Sequence, residues 1–157
     1  MADWQVEFHV VPQARIAAVA GPLPPAALAA TDWWDDRAID AVQLERLGAI
    51  GPLAPSSGPD HRQWGSELGN RVDIWSRGGR VQRIAVRVDV RKLDARFGAA
   101  LLGFVRATGA VLVRADGAVV PPTIDAYSAA LRGSKAWRFA NDTATWLATQ
   151  FGDDDAG

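Results

Sequence analysis

The chain has no cysteine, which excludes disulfides, thiolate nucleophiles and every cysteine-based zinc site. It also lacks a surplus of either charge, since 17 Lys and Arg against 18 Asp and Glu give a net charge of −1. Proteins that bind nucleic acid usually carry a basic surplus, because neutralising phosphate groups supplies much of their affinity. Nucleic acid is therefore not expected as a partner.

No run of 18 apolar residues is present, so the sequence predicts no transmembrane helix and no membrane partner. Residues 15–30 are apolar enough to resemble a signal peptide. However, acidic Asp3 and Glu7 precede this stretch where positive residues would be expected, and four Gly and Pro residues interrupt it between 21 and 25. Together with the lack of cysteine, this pattern favours a cytoplasmic protein.

Catalytic and ligand-binding motifs are also missing. The two histidines, His9 and His61, are far apart, and neither has a partner at the spacing of a metal-binding pair. Ser57 has no nucleophile-elbow sequence around it, and the glycines of residues 64–70 lack the lysine of a phosphate-binding loop. The sequence thus predicts no metal site, no bound cofactor and no recognisable enzyme.

Material for a folded core is plentiful. Hydrophobic residues make up 48% of the 157 residues, and seven of them are Trp. A chain of this length can bury about two-thirds of its unfolded surface without disulfides or metals. We expect one globular domain over residues 1–152, followed by an acidic tail at 153–157.

The clearest pattern is a hairpin over residues 70–91, where two strictly alternating segments flank Gly78-Gly79. A turn made of those two glycines alone would set Ile74 opposite a charged residue. A three-residue turn over 78–80 sets Ile74 opposite Ile84 instead. Because a one-residue slip moves every side chain to the other face, we predict the three-residue turn.

Weaker patterns fill in the other elements. We predict a strand at 4–11, a short strand at 15–20, a turn at 21–25, a short helix capped by Thr31 or Asp32, a loop at 48–60, a helix after Asp94, a hairpin around Asp116-Gly117, and helices at 123–131 and 142–151. This order predicts an α+β fold, a mostly antiparallel sheet with helices packed on one face. The expected core is Val72, Ile74, Ile84, Val86, Val88, Phe97, Leu101, Phe104 and Val111.

The outward face of the hairpin mixes arginine, aspartate and tryptophan. In the predicted register Trp75 lies opposite Arg83, which allows a cation–π contact. Since Trp and Arg are enriched at interface hot spots, we interpret this face as a docking surface. The candidate partner-binding residues are Asp73, Trp75, Arg83, Arg87, Asp89, Arg91 and Trp64.

Two other interpretations of that face stay open. It can be a solvated sheet surface laced with ion pairs of little energetic value, or an anion site built on the arginines. Asp73 and Asp89 share the face but are offset along the strands, and arginines beside both favour their charged forms. A general acid needs the protonated form, so an acid/base pair is not predicted.

Trp33, Trp34 and Trp64 are interpreted as core residues, with an exposed aromatic patch as the alternative. A different function is a small enzyme or ligand-binding protein with a pocket near Trp64, Glu67 and His61. A third is a structural subunit of a homo-oligomer, joined along an exposed edge strand.

Several short motifs resemble small, mostly uncharacterised bacterial proteins, some of which are thought to be immunity proteins that neutralise a toxin or secreted effector. The resemblance covers residues 64–147 and rests on Trp64-Gly-x-x-x-Gly69-Asn-x-Val-Asp73, Ile84-x-x-Arg87-x-Asp89-x-Arg91, and Ser134-x-Ala136-x-Arg138-Phe139 with Asp142. It implies a non-enzymatic, cytosolic protein with a protein partner.

Overall fold

The computed structural model describes residues 1–19, 21 and 23–142, and these form an α+β fold around a six-stranded antiparallel sheet. The strand order is β2-β3-β4-β1-β5-β6. The strands are β1 Gln5–Pro12, β2 His61–Gly65, β3 Arg71–Arg77, β4 Arg80–Asp89, β5 Ala110–Arg114 and β6 Val119–Val120. The helices are α1 Gln13–Ala17, α2 Pro25–Ala30, α3 Ala41–Glu45 with a 3-10 turn at Arg46–Ala49, α4 Ala95–Ala107, α5 Ile124–Arg132 and α6 Lys135–Asn141.

The predicted fold class is confirmed. The predicted helix at 142–151, beyond its first residue, and the acidic tail at 153–157 lie outside the described residues. No helix in the described part of the chain is long and apolar enough to cross a membrane.

One face of the sheet, here called the inner face, carries the main core. Val72 pairs with Val86, and Val86 pairs with Phe8, so these side chains project on the same side. The Phe8 ring lies 6.1 Å from the ring of Tyr127 on α5. Tyr127 in turn packs against Gly98 of α4. Helices α4 and α5 therefore both cover the inner face.

The predicted core is confirmed, since every one of its members is at most 6% exposed. The tryptophans interpreted as core residues, Trp33, Trp34 and Trp64, are also buried. The helix predicted after Asp94 is present as α4, and the Asp94 side chain accepts from the backbone N–H groups of Arg96 and Phe97. That cap satisfies two of the amides that a helix N-terminus leaves unpaired.

The central hairpin has the predicted register but not the predicted turn. Ile74 pairs with Ile84, as expected, yet the loop is the two-residue Gly78-Gly79, with φ of 58° and 77°. Both values are positive, which is the geometry of the turn that best fits twisted hairpin strands. The register shifts at Trp75/Ser76, so that Gln82 becomes an extra residue in β4. A β-bulge, and not a longer turn, restores the apolar alignment.

Trp34 explains why the bulge is placed there. Strand β1 pairs with β4 only as far as His9 opposite Ala85, and the two strands then separate. Trp34 lies in the gap: its backbone N–H donates to the Gln82 carbonyl at 3.1 Å, and its Nε1 donates to the Val10 carbonyl at 2.8 Å. Trp34 thus satisfies carbonyls of two diverging strands, one with its indole and one with its backbone N–H, and is itself 1% exposed.

Two predictions in the first 50 residues are wrong. Residues 15–19 do not form a strand, because the Ala-rich segment at Gln13–Ala17 forms α1; residue 20, the last of that predicted strand, lies outside the described residues. Thr31 does not begin a helix; it ends α2, whose first residue is Pro25. The helical cap predicted at Thr31 or Asp32 is instead provided by Asp40, whose side chain accepts from Val42 N–H at the start of α3.

Residues 61–65, which lie between the predicted loop and the predicted hairpin, form a strand that was not predicted. Strand β2 pairs with β3, with His61 opposite Trp75 and Trp64 opposite Val72. On its other side, residues 52–54 bond to it through Ala54 N–H to the Gln63 carbonyl and through a bridge between Leu53 and Trp64. That cover blunts an edge that could otherwise pair with another chain.

Candidate functional site

Alternate residues of β2, β3 and β4 project away from the helices and form a second surface, here called the outer face. His61 lies opposite Trp75, and Trp75 lies opposite Arg83, so one row crosses all three strands. The next rows along the strands place Asp73 opposite Ala85 and Arg71 opposite Arg87. The outer-face cluster is defined as His61, Arg71, Asp73, Trp75, Arg83 and Arg87.

Asp73 is the buried anion of this cluster. Its side chain is 2% exposed. Arg71 binds it with two hydrogen bonds, from Nε to Oδ2 at 2.6 Å and from Nη2 to Oδ1 at 2.8 Å. His61 Nε2 lies 2.7 Å from Oδ1. The hydrogen bond to Asp73 raises the pKa of Arg71 above its ordinary value. Asp73 was expected on the exposed docking surface; the structure instead shows it covered by its own partners.

An aromatic and cationic stack lies beside that ion pair. The His61 and Trp75 rings stack with centroids 5.2 Å apart and an interplanar angle of 9°. On the other side, the Arg83 guanidinium lies 5.3 Å from the centroid of the Trp75 ring. The predicted Trp75–Arg83 contact is therefore confirmed. It extends into a three-layer arrangement that sequence reasoning missed, because β2 was not predicted as a strand.

Arg83 also binds the last turn of α2 and lies near the residues that follow this helix. Its Nη1 donates to the Ala29 carbonyl. Its Nε has no hydrogen-bond partner among the described residues, since the nearest carboxylate, that of Asp32, is 3.8 Å away. The Asp32 and Arg83 side chains are both about one-third exposed, so this ion pair contributes little stability.

Arg87 is the arginine of the cluster that makes no salt bridge among the described residues. It is partly buried on β4, directly opposite Arg71 on one side and Glu7 on the other. Arg71 cannot compensate it, being itself a cation that is paired to Asp73. Within the described part of the chain, the Arg87 guanidinium makes no hydrogen bond, ion pair or cation–π contact, whereas Glu7 lies 3.8 Å from His9. A free guanidinium here offers a planar, charged hydrogen-bonding group to a partner.

Asp89 and Arg91 form a separate group at the far end of β4. Arg91 binds Asp89 through Nη2 at 2.7 Å and lies 4.2 Å above the Trp4 ring. Both Arg91 and Trp4 also donate to the Leu68 carbonyl. The hydrogen bond to Asp89 raises the pKa of Arg91. These contacts tie the β2–β3 turn to the N-terminus, so the two predicted site residues have intramolecular partners.

Trp64, the seventh predicted site residue, lies in the core. It is 7% exposed and pairs with Val72 on the inner face, with the Arg62 guanidinium 5.6 Å from its ring centroid. Its side chain therefore offers almost no surface for a partner. Two residues that were not on the predicted list, His61 and Arg71, belong to the cluster instead. One signal could have placed His61 on the outer face. Along this segment, His61 and Gln63 alternate with Arg62 and Trp64, as expected for a strand.

The alternative pocket near Trp64, Glu67 and His61 does not form around one point. His61 begins β2 and Glu67 lies in the turn beyond its end, which separates them by more than about 13 Å at a rise of roughly 3.3 Å per residue. The Glu67 backbone carbonyl accepts from Gln5 Nε2. No group of three or more His, Cys, Asp or Glu side chains in the described residues is placed to hold a metal ion.

Comparison of the chain with protein families, with curated proteins and with solved structures gave no match. The outer-face cluster contains an aromatic ring held between an imidazole and a guanidinium, here called the Trp75 ledge. The same face carries a neutralised carboxylate, Asp73, and an arginine, Arg87, that is unpaired among the described residues.

Proposed function

We propose that the protein is a non-enzymatic, protein-binding module of a bacterial cytosol that docks a partner protein on its outer face. The observation that supports this most strongly is the Arg87 guanidinium, unpaired among the described residues, on the same sheet face as the Trp75 ledge and two cross-strand rows away from it. Trp and Arg are the side chains that most often dominate binding energy at protein interfaces. The ledge is held by contacts on both sides, so binding would require little further ordering of Trp75.

The charges of the cluster favour an acidic partner. Asp73 is neutralised by Arg71 and is almost wholly covered, so it presents little negative potential. Arg87 has no carboxylate partner among the described residues, and Arg83 has only a long contact to Asp32. A loop or helix that presents Asp or Glu side chains next to an apolar group would match this surface in charge and in shape.

The resemblance of residues 64–147 to proteins that include immunity proteins supports a specific kind of partner. In that form the partner is a toxin or secreted effector, and docking on the outer face neutralises it. Binding of an acidic segment of such a partner would be sensitive to salt, because it depends on exposed guanidinium charge.

The test begins with affinity purification of the tagged chain from its source cell, followed by purification of any partner on its own. The dissociation constant is then measured for the native chain, Trp75→Ala, Arg87→Ala and Arg114→Ala. Arg114 is a matched control because it lies on β5, away from the three strands of the cluster. Its side chain is 40% exposed and is paired with Asp116 in the turn that follows β5. We expect each outer-face change to weaken binding by about tenfold or more and the control to leave it unchanged.

Equal binding by the native chain, Trp75→Ala and Arg87→Ala would show that the outer face is not the docking site. If all three variants including Arg114→Ala lose the partner, the contact depends on charge in general, and the proposal fails in its specific form. A partner that proves to be a second copy of the chain would replace a toxin or effector with the homo-oligomer interpretation.

A further inference from the structure

A separate cleft lies between α4 and α5, on the side of the sheet opposite the outer face. Its volume is about 220 Å³. The walls are mostly apolar and come from Leu93, Ala99, Ile124 and Leu131. Ile124 and Leu93 stand at its rim, 59% and 40% exposed. This combination of an apolar wall and an open rim is typical of small-ligand sites.

Tyr127 supplies one polar group to this cleft. The residue is only 5% exposed, and its ring is fixed between Phe8 and Gly98. A Cβ added at Gly98 would come within 3.3 Å of the Tyr127 ring, so the glycine allows this close approach. Among the described residues the hydroxyl of Tyr127 makes no hydrogen bond. Because the hydroxyl oxygen is not among the fully buried, unpaired side-chain atoms of the described residues, it opens to solvent at the cleft, where a ligand could bond to it.

Asp94 supplies the second polar group. Its Oδ1 accepts from two amides at the start of α4, while its Oδ2 has no hydrogen-bond partner among the described residues. Burial, and after it the negative charge of Asp94, raises the pKa of Tyr127 above its ordinary value. The tyrosine therefore remains a hydroxyl donor.

We propose that this cleft binds a small single-ring phenol, with the ring between the apolar walls and the hydroxyl bonded to both Tyr127 and Asp94. A phenol hydroxyl can accept from Tyr127 and donate to Asp94 at the same time. A carboxylate ligand would be repelled by Asp94, and a protonated amine could not accept from Tyr127. The size also fits, because an apolar cavity of about 150 Å³ already holds benzene.

The test uses p-cresol as the probe and toluene, which lacks the hydroxyl, as its comparison. Each is titrated into the full chain while the amide NMR signals of α4 and α5 are followed. Tyr127→Phe keeps the ring and removes the donor. Asp94→Asn removes the charge but keeps a good helix cap. We expect each change to weaken p-cresol binding by about three- to tenfold and to leave toluene binding unchanged.

Ala99→Phe provides the occlusion variant, since Ala99 is an exposed lining residue whose enlargement should fill the cleft without disturbing the core. It should abolish saturable binding of both probes. Binding of p-cresol that survives Ala99→Phe, or no saturable change in the native chain, would overturn the site. Loss in Ala99→Phe with equal affinities of p-cresol and toluene would overturn the phenol assignment. None of these changes touches the outer face, so docking is tested independently.

Discussion

His61 and Asp73 meet through Nε2 and Oδ1 at 2.7 Å, although twelve residues separate them along the chain. The contact crosses from β2 to β3. His61 pairs with Trp75, and Asp73 lies two residues before Trp75 on β3, so its side chain projects on the same face. Asp73 therefore links two strands on the outer face while it neutralises Arg71. The carboxylate is a structural element of the docking ledge and not a contact residue itself.

Replacing Asp73 by Ala should destabilise the fold strongly. Arg71 is only 13% exposed and would be left without its carboxylate, and removing one partner of a buried ion pair typically costs about 3 kcal/mol or more. Urea denaturation of Asp73→Ala measures this. The matched control is Asp116→Ala, which breaks an exposed Arg–Asp pair and should cost less than about 1 kcal/mol. Equal losses in the two variants would contradict the buried role of Asp73.

Trp34→Phe should cost about 1–3 kcal/mol, because the phenyl ring keeps most of the packing but leaves the Val10 carbonyl without its donor. The measurement is the free energy of unfolding from chemical denaturation. Trp137→Phe is the control, since Trp137 is partly buried and its Nε1 makes no hydrogen bond within the described residues. A loss no larger than that of the control would show that the gap between β1 and β4 does not depend on the Trp34 Nε1 bond.

His9 should make the protein less stable in mild acid. Burial is the main cause of a lowered pKa at His9; Glu7 opposes the shift and Arg83 adds to it. Below about pH 6.5, the ordinary value, the unfolded chain takes up a proton that the folded chain does not. The free energy of unfolding should therefore fall as the pH drops through the interval between the ordinary value and the lowered one.

Denaturant midpoints measured from about pH 7.5 down to about pH 5.5 test this dependence. His9→Gln should flatten it. Glu7→Gln should steepen it, because it removes the carboxylate that favours the charged imidazole, 3.8 Å from Nε2. An unchanged slope in His9→Gln would show that another group controls the acid response.

Gly65→Ala should be far more damaging than Gly78→Ala. Both glycines have positive φ, 93° and 58°, so an alanine is strained at either position. At Gly65, however, a Cβ would also lie 2.1 Å from the Asn70 carbonyl oxygen, whereas at Gly78 it would meet open space. We expect the Gly65 variant to lose about 2 kcal/mol more in thermal or chemical unfolding. Similar stabilities would contradict the close approach of β2 to the start of β3.

Local patterns were sufficient wherever a segment's own residues decide its structure. The spacing of Phe97, Leu101 and Phe104 after Asp94 predicts α4, because helix periodicity and capping act within a few residues. The alternation around Ile74 and Ile84 predicts the hairpin register, because only one alignment places apolar side chains on a common face. The buried set follows from the same two periodicities.

Strand β2 could not be predicted in this way. The segment His61–Gly65 has one large apolar side chain, and it is stabilised by its pairing with β3 and by the cover of residues 52–54. The His61 part of the outer-face cluster was missed for that reason. The exact turn of the central hairpin was equally hidden, because the bulge at Gln82 is bonded by the backbone N–H of Trp34, nearly fifty residues earlier in the chain.

The sequence by itself determined the fold class, the main core and the opposition of Trp75 and Arg83, since each depends on periodicity over neighbouring residues. Only the tertiary structure decided which charged side chains of the outer face have an ion-pair partner and which have none among the described residues. Asp73 is covered by Arg71 and His61, while Arg87 has no partner among the described residues. The Arg71–Asp73 pair lies within β3, at a spacing of two residues, but the His61 contact to Asp73 and the surroundings of Arg87 depend on which strands are neighbours in the sheet.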